Sequence, residues 1–520
     1  MTDARSFVEG YFDQSSYEPG DPITLHCGAT LPRPSGRVEP AGTALMFDIE
    51  VARLGVNREV VHRVEGLSAE PHPIPANAAG AGAGWPGTLE FTAGNWPSGW
   101  YETVIRAVRP DATLAASHAG FVLRAPSGHP TSPMLLELSY NTWNAYNDWG
   151  RSNLYTGGTA VSFRRPMARG FLDRPEPLEH RNANTAREPD LGGDAWLLHA
   201  RSEGISSWSA CAGWPTWEAP FVRWAEGAGY RFDYAVNADL EQRPELLGDY
   251  RLMVSVGHDE YWSSPMRDTV EAFIGRGGNV AFFSGNTSMW QVRLEDGGDT
   301  MVSFKDRARR EDPIRKTNLE LLTSAWSDPI IGRGEVRMTG VSFSHGGYAR
   351  QAGCTPRGQR GYTVWRPEHW MFTGTDLRYG DLLGDVGCVV GYECDGVELA
   401  MENGLPVPTH ADGCPEGFEV LGTAPARLYS VDAEAGVNEY PTGLQAIRTT
   451  GELQGMAHML YGEASPANVA RVAHGNAVLG TYSAGGTVVT TGCTDWAYGL
   501  AAGDDLVERV TANILDRLSR

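Results

Sequence analysis

The chain has 520 residues, 41% hydrophobic and 21% charged, with a formal net charge of −21. That length exceeds what one core supports and predicts two or three domains in a water-soluble chain. The charge argues against nucleic acid or an anionic membrane surface as the main partner, and no run of 18 apolar residues offers a membrane span.

The sequence opens on Met1-Thr2-Asp3-Ala4-Arg5 and runs straight into polar residues, without the apolar centre of a signal peptide, so the expected compartment is the cytoplasm. The seven cysteines (Cys27, Cys211, Cys354, Cys388, Cys394, Cys414 and Cys493) are scattered and form no Cys-x-x-Cys pair. A zinc ribbon, a thioredoxin-type site and a disulfide framework are therefore all unsupported.

Residues 1–125 read as a β-sandwich accessory domain. Ile23–Cys27 and Leu45–Val51 alternate as half-buried strands, residues 76–84 are an Ala- and Gly-rich loop, and Thr103–Val108 and Gly120–Arg124 complete the series. No catalytic constellation stands out in it, which predicts a scaffold or oligomer contact. Residues 126–132 read as a linker, and residues 126–520 as the α/β catalytic domain.

That second domain opens with the buried strand Met134–Leu138. The Tyr- and Asn-dense stretch from Ser139 to Gly150 follows, read as a loop, and then Ser152-Asn153-Leu154-Tyr155. Nine of the 16 tryptophans fall between Trp143 and Trp290, which suggests the wall of a large apolar pocket. Helix Ala219–Ala228, strand Arg231–Val236, strand Leu252–Val256, a helix from about 265 to 275 and strand Asn279–Phe283 then alternate. This order implies a mostly parallel sheet. Val302–Lys305 looks strand-like, and Cys388–Glu393 reads as a buried strand ending on a carboxylate. Ala477–Tyr482 and Gly486–Thr491 resemble a closing hairpin, and Leu506–Leu515 an amphipathic terminal helix.

The turn after strand Leu252–Val256 is Gly257-His258-Asp259-Glu260-Tyr261-Trp262. In open α/β sheets ligands bind at such carboxyl-end turns. A histidine and a carboxylate there could hold a metal or move protons. The bland reading is a solvated loop whose acids face the following helix dipole. The exit of strand Asn279–Phe283, Ser284-Gly285-Asn286, should open on the same edge and place Glu260 and Asn286 in one cleft.

The residues bear on three chemistries. Ser284 follows a strand as a nucleophile elbow would, but Phe-Ser-Gly-Asn lacks the small residue such a turn needs before the serine. His258-Asp259-Glu260 lacks the helical His-x-x-x-His spacing of zinc peptidases, and His199, His345, His369, His410, His458 and His474 are isolated. Phenolate and carboxylate oxygens remain. They suit a hard ion such as Fe(III), and only such an ion removes a phenol proton near neutral pH, against a reference pKa of about 10. Spacing does not select which tyrosines would bind.

Several stretches resemble the large (beta) subunit of N,N-dimethylformamidase. They are Thr142–Asn147 with Ser152–Tyr155, the 257–262 hexapeptide, Phe283–Asn286, and the tail from Gly485 through Gly492–Trp496 to Thr511–Leu515. The resemblance implies a glutamine-amidotransferase-like core without its cysteine nucleophile. It also implies a mononuclear Fe(III) held by Tyr146, Tyr155 and Glu260. His258 would be a site residue, and Asn286, Lys305 and Glu393 would surround the substrate, the last two matched mainly by spacing. The implied activity is cleavage of the C–N bond of a small amide, N-alkylated amides included, by metal-activated water. The implied partners are the amide, further copies of the chain and a small subunit. Set against that family, the chain is expected to lack part of the large N-terminal region, which would bear on its subunit contacts. The alternatives are a non-catalytic or carbohydrate-binding protein on the same core, and a serine hydrolase using Ser284.

Overall fold

The computed structural model describes residues 6–32, 38–108, 114–174, 204–349, 359–428 and 452–520. Cys354, Trp196 and His199 lie outside the described residues. The N-terminal part contains two sheets. In one, the strand Pro22–Pro32 pairs antiparallel with Phe7–Phe12, Val38–Pro40 and Gly87–Thr92. The other is five-stranded and carries Leu45–Leu54, Arg58–Ala69, Gly99–Val108 and Leu114–Leu123. Val8, Phe12, Ile23, Leu25, Phe47, Ile49, Tyr101, Ile105 and Phe121 form the core between them. The stretch read as a loop at 76–84 contains a one-turn helix, Ala78–Ala81.

Strand alternation gives the second sheet two useful faces. Tyr101, Phe121 and Leu123 point into the sandwich, while Trp100 and Val122 join the core of the following α/β part. Buried polar ties cross the same boundary. Ser16 Oγ donates to Asp239 at 2.7 Å, Arg124 Nη1 donates to Asp239 at 2.8 Å, and Arg53 pairs with Glu226 at 2.6 Å.

The α/β part is built on a nine-stranded mixed sheet. Its order is Asp233–Val236, Met134–Leu138, Leu252–His258, Asn279–Gly285, Gly486–Thr490, Gly475–Ala484, Glu419–Ala426, Tyr362–Val364, Leu382–Leu383. The first five strands are parallel and the remaining pairings antiparallel. Leu136, Val254, Val256, Ala281 and Phe283 face one core, which includes Phe221 and Val222 of helix Glu218–Gly227 and Val510 and Ile514 of helix Asp505–Leu518. Leu135, Met253, Val280 and Phe282 face the other, against Met266, Val270 and Phe273 of helix Ser264–Gly275. Burial on both faces is why these strands read as continuous apolar runs.

Four local expectations are corrected. Tyr140–Tyr146 is a helix, not a loop, and all seven of its residues are buried. Lys305 is not strand: the strand ends at Val302, and Lys305 takes φ +55° at the start of a 3-10 turn. The strand expected over Cys388–Glu393 begins only at Glu393, because Cys388 adopts φ +61° and Asp495 Oδ2 accepts from the Tyr392 N–H at 3.1 Å. The tryptophans are mainly core: Trp143, Trp149, Trp217 and Trp262 are fully buried.

Candidate functional site

The site forms where the parallel strands end. His258 closes its strand opposite Gly285 in parallel register, so Asn286 emerges beside it. Gly257 has φ +79°, and a Cβ there would lie 2.5 Å from Trp217 Cβ. Only glycine accommodates both that backbone and that neighbour. The loop is held from three sides. Thr142 Oγ1 accepts from Glu260 N at 2.9 Å, Ser288 N donates to Asp259 O at 2.8 Å, and Trp290 N donates to Glu260 O at 2.9 Å. Helix Tyr140–Tyr146 delivers Tyr146. Asn153 joins the two tyrosine-bearing segments, donating to Tyr146 O and accepting from Tyr155 N, each at 2.9 Å.

The seven side chains singled out from sequence form one connected cluster. Tyr146 Oη and Tyr155 Oη are 2.7 Å apart, and Tyr155 Oη donates to Glu260 Oε1 at 2.6 Å. His258 Nε2 stands 3.3 Å from Glu260 Oε2 and 2.7 Å from Glu393 Oε2. The shorter contact is the directed one, since Glu260 Oε2 has no hydrogen-bond partner among the described residues. Asn286 Nδ2 donates to Glu393 Oε2 at 3.1 Å. His258 Nδ1–H donates to Cys211 O at 2.9 Å, which turns Nε2 toward the carboxylates. Lys305 Nζ lies 3.0 Å from the centroid of the Tyr155 ring and has no hydrogen-bond partner among the described residues. Asn286 (φ +50°) and Lys305 (φ +55°) both hold left-handed backbone, a strained state for non-glycine residues that clusters at functional sites.

Burial decides the electrostatics. It raises the Tyr146 and Tyr155 phenols well above their ordinary range, and the Glu260 charge raises them further. It opposes charge on His258, yet Glu393 and Glu260 outweigh it and bring the imidazolium up to about 9. It pulls Lys305 down to about 8 against the attraction of Glu260. Asp259 and Glu260 are therefore not solvated acids facing a helix dipole. Both are buried, Asp259 bonds Asn237 and Ser255, and the helix is capped instead by Ser263.

Two neighbours are assigned no role by the sequence, although Tyr261 lies in the 257–262 hexapeptide. Tyr261 Oη donates to Tyr155 Oη at 3.1 Å, and Trp290 Nε1 donates to Glu260 Oε1 at 2.7 Å. Tyr261 and Trp290 are paired in parallel register, a juxtaposition that spans too much sequence to read from spacing. Trp208 stacks on Tyr155 with centroids 5.6 Å apart. Ser284 is set aside as a nucleophile. It is fully buried, and its hydroxyl meets Ser255 and Thr287 while His258 is engaged elsewhere. His118 in the sandwich lies between Glu102 and Asp173, but each ring nitrogen faces a different carboxylate and Glu102 also pairs with Arg58. That cluster is an ion-pair ladder. A cavity of about 330 Å³ lies against the sandwich, lined by residues such as Arg58, Glu102 and Trp214; none of the seven site residues lines it.

The fold and site define a mixed α/β protein with a buried phenol–carboxylate–histidine centre at the carboxyl ends of its parallel strands. Residues 48–509 match the family described as N,N-dimethylformamidase beta subunit-like, C-terminal, and the chain belongs to that family. It is 25% identical over 356 residues to the N,N-dimethylformamidase beta subunit of Alcaligenes sp, across 61% of this chain and 42% of that protein. It is 24% identical over 212 residues to the beta subunit of the same name from Paracoccus aminophilus, across 36% of this chain and 25% of that protein. The chain thus spans less than half the length of these curated relatives. A solved Pseudomonas fluorescens alkylpurine DNA glycosylase AlkC bound to abasic-site DNA is 12% identical over 24% of this chain and 31% of that one, with a TM-score of 0.16. No helix among the described residues is long and apolar enough to cross a membrane.

Proposed function

We propose that this chain is an iron-dependent amidohydrolase that cleaves the C–N bond of a small amide, with Tyr146, Tyr155 and Glu260 holding a mononuclear Fe(III). The observation that carries the reading is the run of three oxygens, Tyr146 Oη to Tyr155 Oη at 2.7 Å and on to Glu260 Oε1 at 2.6 Å, with Tyr146 and Glu260 buried and Tyr155 half-buried between them. Burial favours the protonated phenols, so only a highly charged cation bound between these oxygens would displace their protons. Two phenolates and a carboxylate balance a ferric ion, so the buried group would be neutral. The names of the relatives support amide hydrolysis in general.

Iron, when bound, supplies Lewis acidity that polarises a carbonyl or acidifies water. The chain's own residues do the rest. Asn286 Nδ2 gives one proton to Glu393 and, with a proton held on His258 Nε2 3.3 Å away, has its second to offer a developing oxyanion. The His258–Glu393 pair holds a proton at Nε2, within reach of a departing amine. Lys305 sets a cation over Tyr155 and steadies the negative side of the site. Trp208, Trp290 and Tyr392 give the surroundings an aromatic character suited to small apolar amides. We read the core as glutamine-amidotransferase-like, with no cysteine nucleophile among these side chains.

The test is metal analysis of the purified chain after ferric loading. About one iron per chain, a visible tyrosinate-to-iron absorption and amine release from small amides are expected. Tyr146→Phe and Glu260→Gln should each lose the iron and the turnover. Variants that keep both would sink the reading, and a colourless, iron-free protein would favour a non-catalytic role.

A further inference from the structure

Resting on the iron reading, we propose that Tyr261 is a positioning residue that makes the two ligand phenols unequal by keeping a hydrogen bond on Tyr155 alone. Tyr155 Oη is saturated. It donates its one proton to Glu260 Oε1 at 2.6 Å, receives the Tyr261 hydroxyl at 3.1 Å, and stands 2.7 Å from Tyr146 Oη. A phenol oxygen has one proton to give and two lone pairs to fill. Among the described residues, Tyr146 Oη meets only Tyr155.

Removing the ligand protons of Tyr146 and Tyr155 breaks the first and last of these contacts as hydrogen bonds. The Tyr261 contact survives and strengthens, because its acceptor becomes an anion. Tyr261 cannot easily turn away. It is fully buried on the short strand Tyr261–Ser263, directly after Glu260, and its backbone carbonyl accepts from Asn141 Nδ2 at 3.0 Å. Partners of this kind set the orientation and basicity of metal ligands. A hydrogen bond to a phenolate stabilises the electrons that a charge-transfer transition moves to iron, so Tyr155 should be the weaker donor and Tyr146 the stronger.

The experiment compares iron-loaded wild type with Tyr261→Phe, with Tyr379→Phe at an exposed site as control. Tyr261→Phe should retain full iron and shift the tyrosinate-to-iron band to longer wavelength, while the control leaves it in place. Resonance Raman of the wild type, which needs no variant, should show two phenolate C–O modes, only one of which moves on exchange into heavy water. An unshifted band in iron-loaded Tyr261→Phe, or two equally insensitive modes, overturns this role and leaves the iron reading standing. Loss of iron from Tyr261→Phe also overturns it, by making Tyr261 a ligand. A wild type with no iron band overturns both.

Discussion

His258 sits under opposed demands, and the outcome sets what it can do. It is buried, which favours a neutral ring, yet two carboxylates face its Nε2 and one of them is only 2.7 Å away. Glu393 is thus the group that keeps a proton on the ring, and Asn286 fixes Glu393 from the other side. Glu393→Gln retains size and one acceptor oxygen but removes the charge. We expect turnover to fall by about two to four orders of magnitude, the usual worth of a placed acid–base group, with iron content unchanged because Glu393 is outside the proposed ligand set. Turnover measured beside metal content on the same preparation checks both halves. A variant with normal turnover would remove the proton-holding role from this pair. Asp259, next in sequence to His258, belongs to different chemistry. It faces Asn237 and Ser255 behind the site, so adjacent residues of one hexapeptide serve opposite sides of a strand end.

The elements that carry these side chains depend on a few backbone positions. Gly257→Ala would place a Cβ 2.5 Å from Trp217 Cβ at φ +79°. Left-handed strain and overpacking each cost about 1–3 kcal/mol, so a loss of about 3 kcal/mol is expected in denaturant unfolding, and a loss under about 1 kcal/mol would show that the strand end relaxes freely. Asp504 Oδ1 caps helix Asp505–Leu518 by accepting from Leu506 N and Val507 N at 3.1 and 3.2 Å. Asp504→Ala should cost about 1 kcal/mol in the same measurement. How far the sequence reveals elements follows the same physics. Leu252–His258 and Asn279–Gly285 are legible because a doubly covered strand must be apolar throughout, and Asp505–Leu518 because its apolar stripe recurs at helical spacing. Tyr140–Tyr146 is not legible, since Tyr, Asn, Thr and Trp are indifferent helix formers and complete burial holds that turn together. Cys388–Tyr392 misleads in the other direction. It is apolar enough for a strand, but a Cβ at Gly391 would lie 1.6 Å from Asp495 Oδ2, a contact made with a residue a hundred positions away. In the site, the strand-end positions of Glu260 and Asn286 follow from topology. Tyr146 and Tyr155 follow only from family resemblance, and the sequence assigns no role to Trp290 or to Tyr261, the latter within the 257–262 hexapeptide, because their partners are set by tertiary packing.

At the scale of the molecule, more acidic than basic side chains are buried among the described residues, and the chain carries a net charge of −21. Burial raises Glu218 to about 8, Asp395 to about 8 and Glu335 to about 7. Burial is also the main cause that carries Glu137 well above the carboxylate range, with Asp259 adding to it. Each of these groups keeps a proton in the folded chain that the unfolded chain releases in the ordinary carboxylate range. Between those two values the folded state binds more protons, so its advantage is complete at the acid end and falls as pH rises, by up to about 1.4 kcal/mol per pH unit for each group. Salt-bridged acids act at the opposite end. Glu102 and Glu271 are lowered despite burial, through His118 and Arg267 respectively, and their contribution is lost only as pH falls below about 4. Stability should therefore peak on the acid side of neutrality, near pH 5, and decline through pH 8. Glu218→Gln isolates one contributor, because the amide oxygen can still accept from Trp143 Nε1, which now donates to Glu218 Oε1 at 2.9 Å. The variant should match wild type near pH 5 and exceed it at pH 8, flattening the decline. Melting temperatures of both proteins from pH 5 to pH 8 decide the matter: a wild-type midpoint that holds level or climbs over that range, or a Glu218→Gln midpoint that falls as steeply as wild type, would show that these carboxyls ionise in the folded chain and are solvated or paired by groups outside those described.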